Sequence, residues 1–146
     1  LDDVEVEEKA LTLLQEINRM SISERIKMAM SGTRTHRMLL VKDPNKMVSL
    51  SVIESPKITL DEILLLSRNR SLPMEIISKI SRNRDWVKNY PIMHELVLNP
   101  KTPVKTALEF LKKLHTKDLK SVSKNKNISP AVRQLAVNFV AQKERH

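Results

Sequence analysis

The chain contains no cysteine, a single glycine and only four aromatic residues, and each scarcity removes a class of chemistry. Without cysteine there is no disulfide scaffold, thiolate zinc site, iron–sulfur cluster or thiol nucleophile. Gly32 alone cannot supply a phosphate-cradling P-loop, a dinucleotide fingerprint or a nucleophile elbow, all of which need several glycines at fixed spacing. No apolar run approaches the roughly 18 residues of a membrane-spanning helix. The acidic N-terminus is also unlike the basic-then-apolar pattern of a signal peptide, so a cytoplasmic location is expected. His36, His94, His115 and His146 include no i, i+4 pair and no triad with carboxylates, so each is expected at a surface or a helix end. No catalytic constellation is visible; the expectation is a non-enzymatic chain with no cofactor, no metal and no small-molecule substrate.

What is present is helical. Hydrophobic residues make up 40% of the 146 positions, enough for a core of ordinary size, and 29% are charged. Five acids (Asp2, Asp3, Glu5, Glu7 and Glu8) stand against Lys9, so residues 1–9 carry −4 of an overall +9 and the remainder carries +13. A surplus of that size concentrates anionic partners, whether acidic protein segments or nucleic acid, and makes their binding salt-sensitive. Residues 1–20 are expected to form an acidic helix continuing from an upstream segment, with residues 21–146 as the main domain.

Val6, Ala10, Leu13, Leu14 and Ile17 share one face of a first helix, acidic at its start and ending at Arg19. Ser21 and Glu24 have the spacing of a capping box for a second helix, which Gly32 closes. A third is expected over 34–41, before Asp43-Pro44. Val48, Leu50 and Val52 alternate with serines, as in a half-buried strand. No second alternating run exists to pair with it, so a helix is expected there too. Further helices are predicted over 45–54, 59–67, 73–81, 85–98, 103–114, 117–124 and 130–142.

Ser67-Arg68-Asn69-Arg70 recurs as Ser81-Arg82-Asn83-Arg84, and four junctions share a Pro-rich design: Ser55-Pro56-Lys57-Ile58-Thr59, Asn69 to Pro73, Asn99-Pro100-Lys101-Thr102-Pro103 and Asn127 to Pro130. Asparagine, present in three of the four, is expected to end a helix in the left-handed conformation, with Ser or Thr capping the next helix and Pro fixing its first turn. Helices this short are marginal alone and need neighbours to stack on. The expected fold is all-α, a short right-handed α-solenoid of about ten short helices.

The Asn99-Pro100-x-Thr102-Pro103 junction and the apolar helix behind it resemble those of leucine-rich repeat variant and HEAT-like solenoids. From Met20 to Val140 the chain is similar to a group of uncharacterised bacterial α-helical repeat proteins, chiefly at Ser23 to Lys27, Arg82 to Trp86 and Leu98 to Pro103. The resemblance implies a fold and supplies no catalytic residues.

The most pointed candidate site is Arg68, Arg70, Arg82, Arg84 and Lys88, which stacked repeats would align as a ridge for carboxylate or phosphate. The competing account is a solvated face on which Arg68 and Arg82 offset helix C-termini and the arginines pair with Asp61, Glu62, Glu75 or Asp85. Trp86 and Tyr90, four apart on one predicted helix, form either an exposed aromatic anchor beside the arginines or part of the core. Eight lysines from Lys101 to Lys126 serve solubility or act as point charges on phosphates. The expected function is binding of a partner protein with an acidic segment through the basic surface, nucleic-acid backbone binding being the alternative. A repair enzyme would require Trp86 and Asp85 to face solvent in a concave basic site. The acidic N-terminal stretch is itself a candidate to dock on the basic surface.

Overall fold

The computed structural model describes residues 2–145, which form eleven helices and no strand. They pack as two compact units divided between Thr59 and Leu60. The first unit holds α1 (Asp3–Arg19), α2 (Ile22–Ser31), α3 (Arg34–Leu40) and α4 (Lys46–Glu54). The second holds α5 (Leu60–Arg68), α6 (Met74–Ser81), α7 (Arg84–Val87), α8 (Tyr90–Leu98), α9 (Val104–Leu111), α10 (Thr116–Ser123) and α11 (Pro130–Glu144). No helix among the described residues is long and apolar enough to cross a membrane.

In the first unit α2 packs mainly on α4, with α3 against both, and Ala29, Leu40, Val41, Val48, Val52 and Ile53 are buried. The stretch whose alternation suggested a strand is helix α4, as its capping residue dictates: the Asn45 side chain accepts the N–H groups of Met47 and Val48. Its buried serines are compatible with a core because each donates to the preceding turn, Ser49 to Lys46 O at 3.2 Å and Ser51 to Met47 O at 2.6 Å. Arg25 ties three elements together through Ile17 O at 3.0 Å and Asp43 at 3.3 Å. Ser21 caps α2 by accepting the Glu24 N–H, but the Glu24 carboxylate accepts from the Ser21 hydroxyl. A reciprocal box instead forms at Thr33 and His36, a spacing the sequence did not flag because histidine replaces the usual acid.

In the second unit α5 packs on α8, α8 on α9, and α11 on α9 and α10. Ile63, Ile76, Ile77, Ile80, Ile92, Leu96 and Leu111 are each fully buried at its centre. The two units contain one local design twice. Asn45 caps α4 and Asn89 caps α8, and Ser55 and Asn99 end those helices, each pair standing 44 residues apart. Val48, Val52 and Ile53 correspond in register to Ile92, Leu96 and Val97, and all six are buried. Ser55 Oγ accepts the Lys57 N–H at 3.2 Å and donates to Met30 O, near the end of α2, at 2.9 Å. Asn99 Oδ1 accepts the Lys101 N–H at 2.9 Å, while its Nδ2 donates to Ser67 O and Asn69 O, at the end of α5, at 2.8 and 3.2 Å.

The junction chemistry differs from expectation. No residue among those described has positive φ, so asparagine does not end these helices left-handed. Its backbone is extended, as at Asn99 with φ −82° and ψ 119°, and its side chain accepts an N–H two residues on. The same turn forms at Asn69 and Asn125. Nor does proline always occupy the first helical turn, since Pro73 and Pro103 stand at the N-cap without a side-chain bond. Thr102, expected to cap, instead donates back to Leu96 O at 2.6 Å. The helix predicted over 85–98 is two helices: Pro91 lacks the N–H that would bond Val87 O and its ring would crowd that carbonyl, and Asn89 caps the new start.

Candidate functional site

Three of the predicted arginine-ridge residues meet in one place. Arg82 caps the end of α6, Arg84 opens α7 and Lys88 ends it. Helix α7 is held by Asn83, whose side chain accepts the N–H groups of Asp85 at 3.0 Å and Trp86 at 3.1 Å, so the two arginines flank a fixed residue. Across from them lies α9, locked by the burial of Ala107 and Leu111. Between the two sides is an open cleft of about 800 Å³, lined by Arg82, Arg84, Lys88 and Lys113, with Val87, Tyr90, Met93 and Phe110 as its apolar part. Glu109 is the single carboxylate in the lining.

The cations are exposed. Arg82 and Arg84 have no carboxylate partner among the described residues, and Lys88 stands 4.0 Å from Asp85, a loose pair exposed on both sides. Such a pair contributes little, so Lys88 stays available. Four cations around one carboxylate create a positive field over an apolar floor, suited to a segment bearing both acids and aliphatic side chains.

The remaining candidates lie elsewhere. Arg68, in the last turn of α5, pairs with Glu95 of α8 at 3.2 Å, and Arg70 reaches Asn127 O at 3.5 Å. Neither lines the cleft. A continuous row of arginines is therefore replaced by a cleft holding the second tetrapeptide only, because α5 turns its arginine towards α8. Trp86 is half-buried and outside the lining, and it belongs to a different helix from Tyr90. The residues that sequence reasoning missed are Lys113, Glu109, Phe110 and Met93. Lys113 was visible only as one of eight lysines, and only the packing of α9 beside α8 singles it out.

Tyr90 fixes one wall. Its Oη donates to Asp118 Oδ2 at 2.6 Å and accepts the backbone N–H of His115 at 2.9 Å, while its ring stacks on the His115 imidazole with centroids 4.1 Å apart. His94 Nε2 lies 4.0 Å from the other oxygen of Asp118. Burial, reinforced by the hydrogen bond and negative charge of Asp118, raises the phenol above its ordinary 10.0, the His115 N–H opposing this. A raised folded-state value means the phenol's stabilisation is complete below the unfolded value and is lost as pH rises through the folded one. Urea unfolding is therefore expected to show stability falling more steeply above about pH 10 in the wild type than in Tyr90→Phe. Equal slopes would mean that the folded-state value of the phenol is not raised. Among the described residues no group of three or more His, Asp or Glu could hold a metal ion.

Comparison of the chain with protein-family models, curated proteins and solved structures found no match in any of the three.

Proposed function

We propose that this chain is a non-enzymatic helical-repeat scaffold that binds a partner protein by seating an acidic, partly apolar segment in the cleft between α7 and α9. The observation that carries the reading is the pair of exposed guanidiniums, Arg82 and Arg84, without carboxylate partners and set with Lys88 and Lys113 around an apolar floor. Arginine forks left open in this way match carboxylates in a bidentate manner, and apolar residues beside them add contact area. The repeat character rests on the 44-residue correspondence of Asn45 to Lys57 with Asn89 to Lys101, a period within the range of HEAT-like units of about 40–47 residues. That spacing, with short helices that each need a neighbour, supports a solenoid arrangement.

Phosphate-backbone binding is the second reading, favoured by the lysines between Lys101 and Lys126 and opposed within the cleft by Glu109. The two separate on titration. A labelled peptide of alternating acidic and aliphatic residues is expected to bind the wild type, and Arg82→Glu with Arg84→Glu to weaken it by at least about tenfold, equivalent to 1.4 kcal/mol. A mixed-sequence duplex tested at low and high salt is expected to bind weakly and to be indifferent to that double change. Peptide affinity unaltered by the double change would refute the cleft, and duplex binding abolished by it would transfer the site to nucleic acid.

A further inference from the structure

The first unit carries a surface that matches the cleft in chemistry. Helix α1 buries only Ile17, whereas Val4 is 58% exposed, Val6 51%, Leu11 60% and Leu14 39%. Helical periodicity places Val6, Ala10, Leu13 and Ile17 on one stripe and Val4, Glu7, Glu8 and Leu11 on another, about a third of a turn away. The second stripe is aliphatic and acidic at once, and the flanking Asp2, Asp3 and Glu5 are also exposed. On this stripe the exposed aliphatic residues come with charges opposite to those of the cleft, and it is that complementarity which selects the partner.

We propose that the N-terminal half of α1 is the acidic segment the cleft accepts, contributed by a second copy of this chain, with Glu7 and Glu8 meeting Arg82, Arg84 and Lys113 while Val4 and Leu11 cover Val87 and Tyr90, the half-exposed apolar part of the lining. This rests on the cleft reading given above and names its partner. The two faces are different, so the contact is heterologous. One such contact uses one α1 and one cleft, so association continues head to tail into open chains or closes, at two chains or more, into a ring. Because the attraction is between exposed charges, it weakens as salt rises.

The geometry sets a strict test. In sedimentation equilibrium over a concentration series, the wild type is expected to show mass rising with concentration, less so at high salt. Glu7→Ala with Glu8→Ala removes the charges of the donor face and keeps the cleft; Arg82→Ala with Arg84→Ala removes the guanidiniums of the cleft and keeps α1, and neither change creates a new complementary pair. Each variant alone is expected to associate at least about tenfold more weakly than the wild type. An equimolar mixture of the two retains one intact face of each kind, and is expected to recover association that stops at two chains. A wild type that stays monomeric throughout would overturn the proposal, as would a cleft variant that associates as well as the wild type, the mark of α1 pairing with α1. If the unrelated acidic peptide binds while the wild type stays monomeric, only the identity of the partner falls. If neither the peptide nor a second copy binds, the cleft reading falls with it.

Discussion

Replacing Asn99 with aspartate is expected to lower the free energy of unfolding by about 3 kcal/mol or more at neutral pH, the scale for breaking buried hydrogen bonds and leaving a charge against acceptors. Asn99 is 4% exposed, and its Nδ2 supplies the hydrogens for both Ser67 O and Asn69 O. An aspartate oxygen there is a third acceptor pressed against two others. The accepting half of the side chain, which takes the Lys101 N–H, survives the change, so the loss is confined to the donors. Protonation restores one O–H donor. The folded-state carboxyl value is therefore raised, so the variant regains stability as pH falls through that value. Urea denaturation followed by the fluorescence of Trp86, which lies in the same unit, measures this directly. Asn99→Ser, copying Ser55 at the corresponding position, is expected to lose less. An aspartate variant as stable as the wild type at pH 7 would mean that these two carbonyls do not need Asn99.

The second large effect is expected at the only glycine. Gly32 ends α2 with φ −77° and ψ −172°, which any residue can adopt, so backbone freedom is not what selects it. Space is: a Cβ at this position would stand 2.5 Å from Met28 O, 2.9 Å from Met28 Sδ and 3.0 Å from the His36 Cβ. The thioether can swing away. The carbonyl cannot, because it accepts the Gly32 N–H at 2.8 Å, and His36 is held by its bonds to Thr33. Gly32→Ala must therefore open the corner between α2 and α3, at about 1–3 kcal/mol, the scale for overpacking. The reduced freedom of the unfolded chain returns about 0.4–1 kcal/mol of that. Hydrogen exchange is the suitable readout, with faster exchange in α2 to α4 and no change in α8 and α9. Unaltered protection across the first unit would contradict the steric account.

Much of the helical layout was legible because its signals are local. Apolar spacing located α1, α2, α9 and α11, and the absence of a second alternating run decided α4 against the strand pattern of Val48, Leu50 and Val52; the Asn45 cap that starts this helix was not singled out. The errors were local too, and instructive. Asparagine can end a helix with its backbone or turn the chain with its side chain, and the two look alike in sequence; the structure uses the side chain at Asn69, Asn99 and Asn125. Pro91 was read as part of a long helix because the apolar rhythm runs through it, although proline beyond the first turn cannot continue the bonding.

The amino-acid order by itself determined that the described chain is helical and that its positive charge is concentrated beyond the acidic start, since composition, helical period and charge count need no partner to be read. It also determined that Ser67 to Arg70 and Ser81 to Arg84 are chemically alike. Only the tertiary structure decided that they act differently: Arg68 is drawn to Glu95, while Arg82 and Arg84 stand open beside Lys113. Identical tetrapeptides close α5 and α6, but which carboxylate lies within reach of an arginine depends on the helix packed against it, and that neighbour is set by core burial far along the chain.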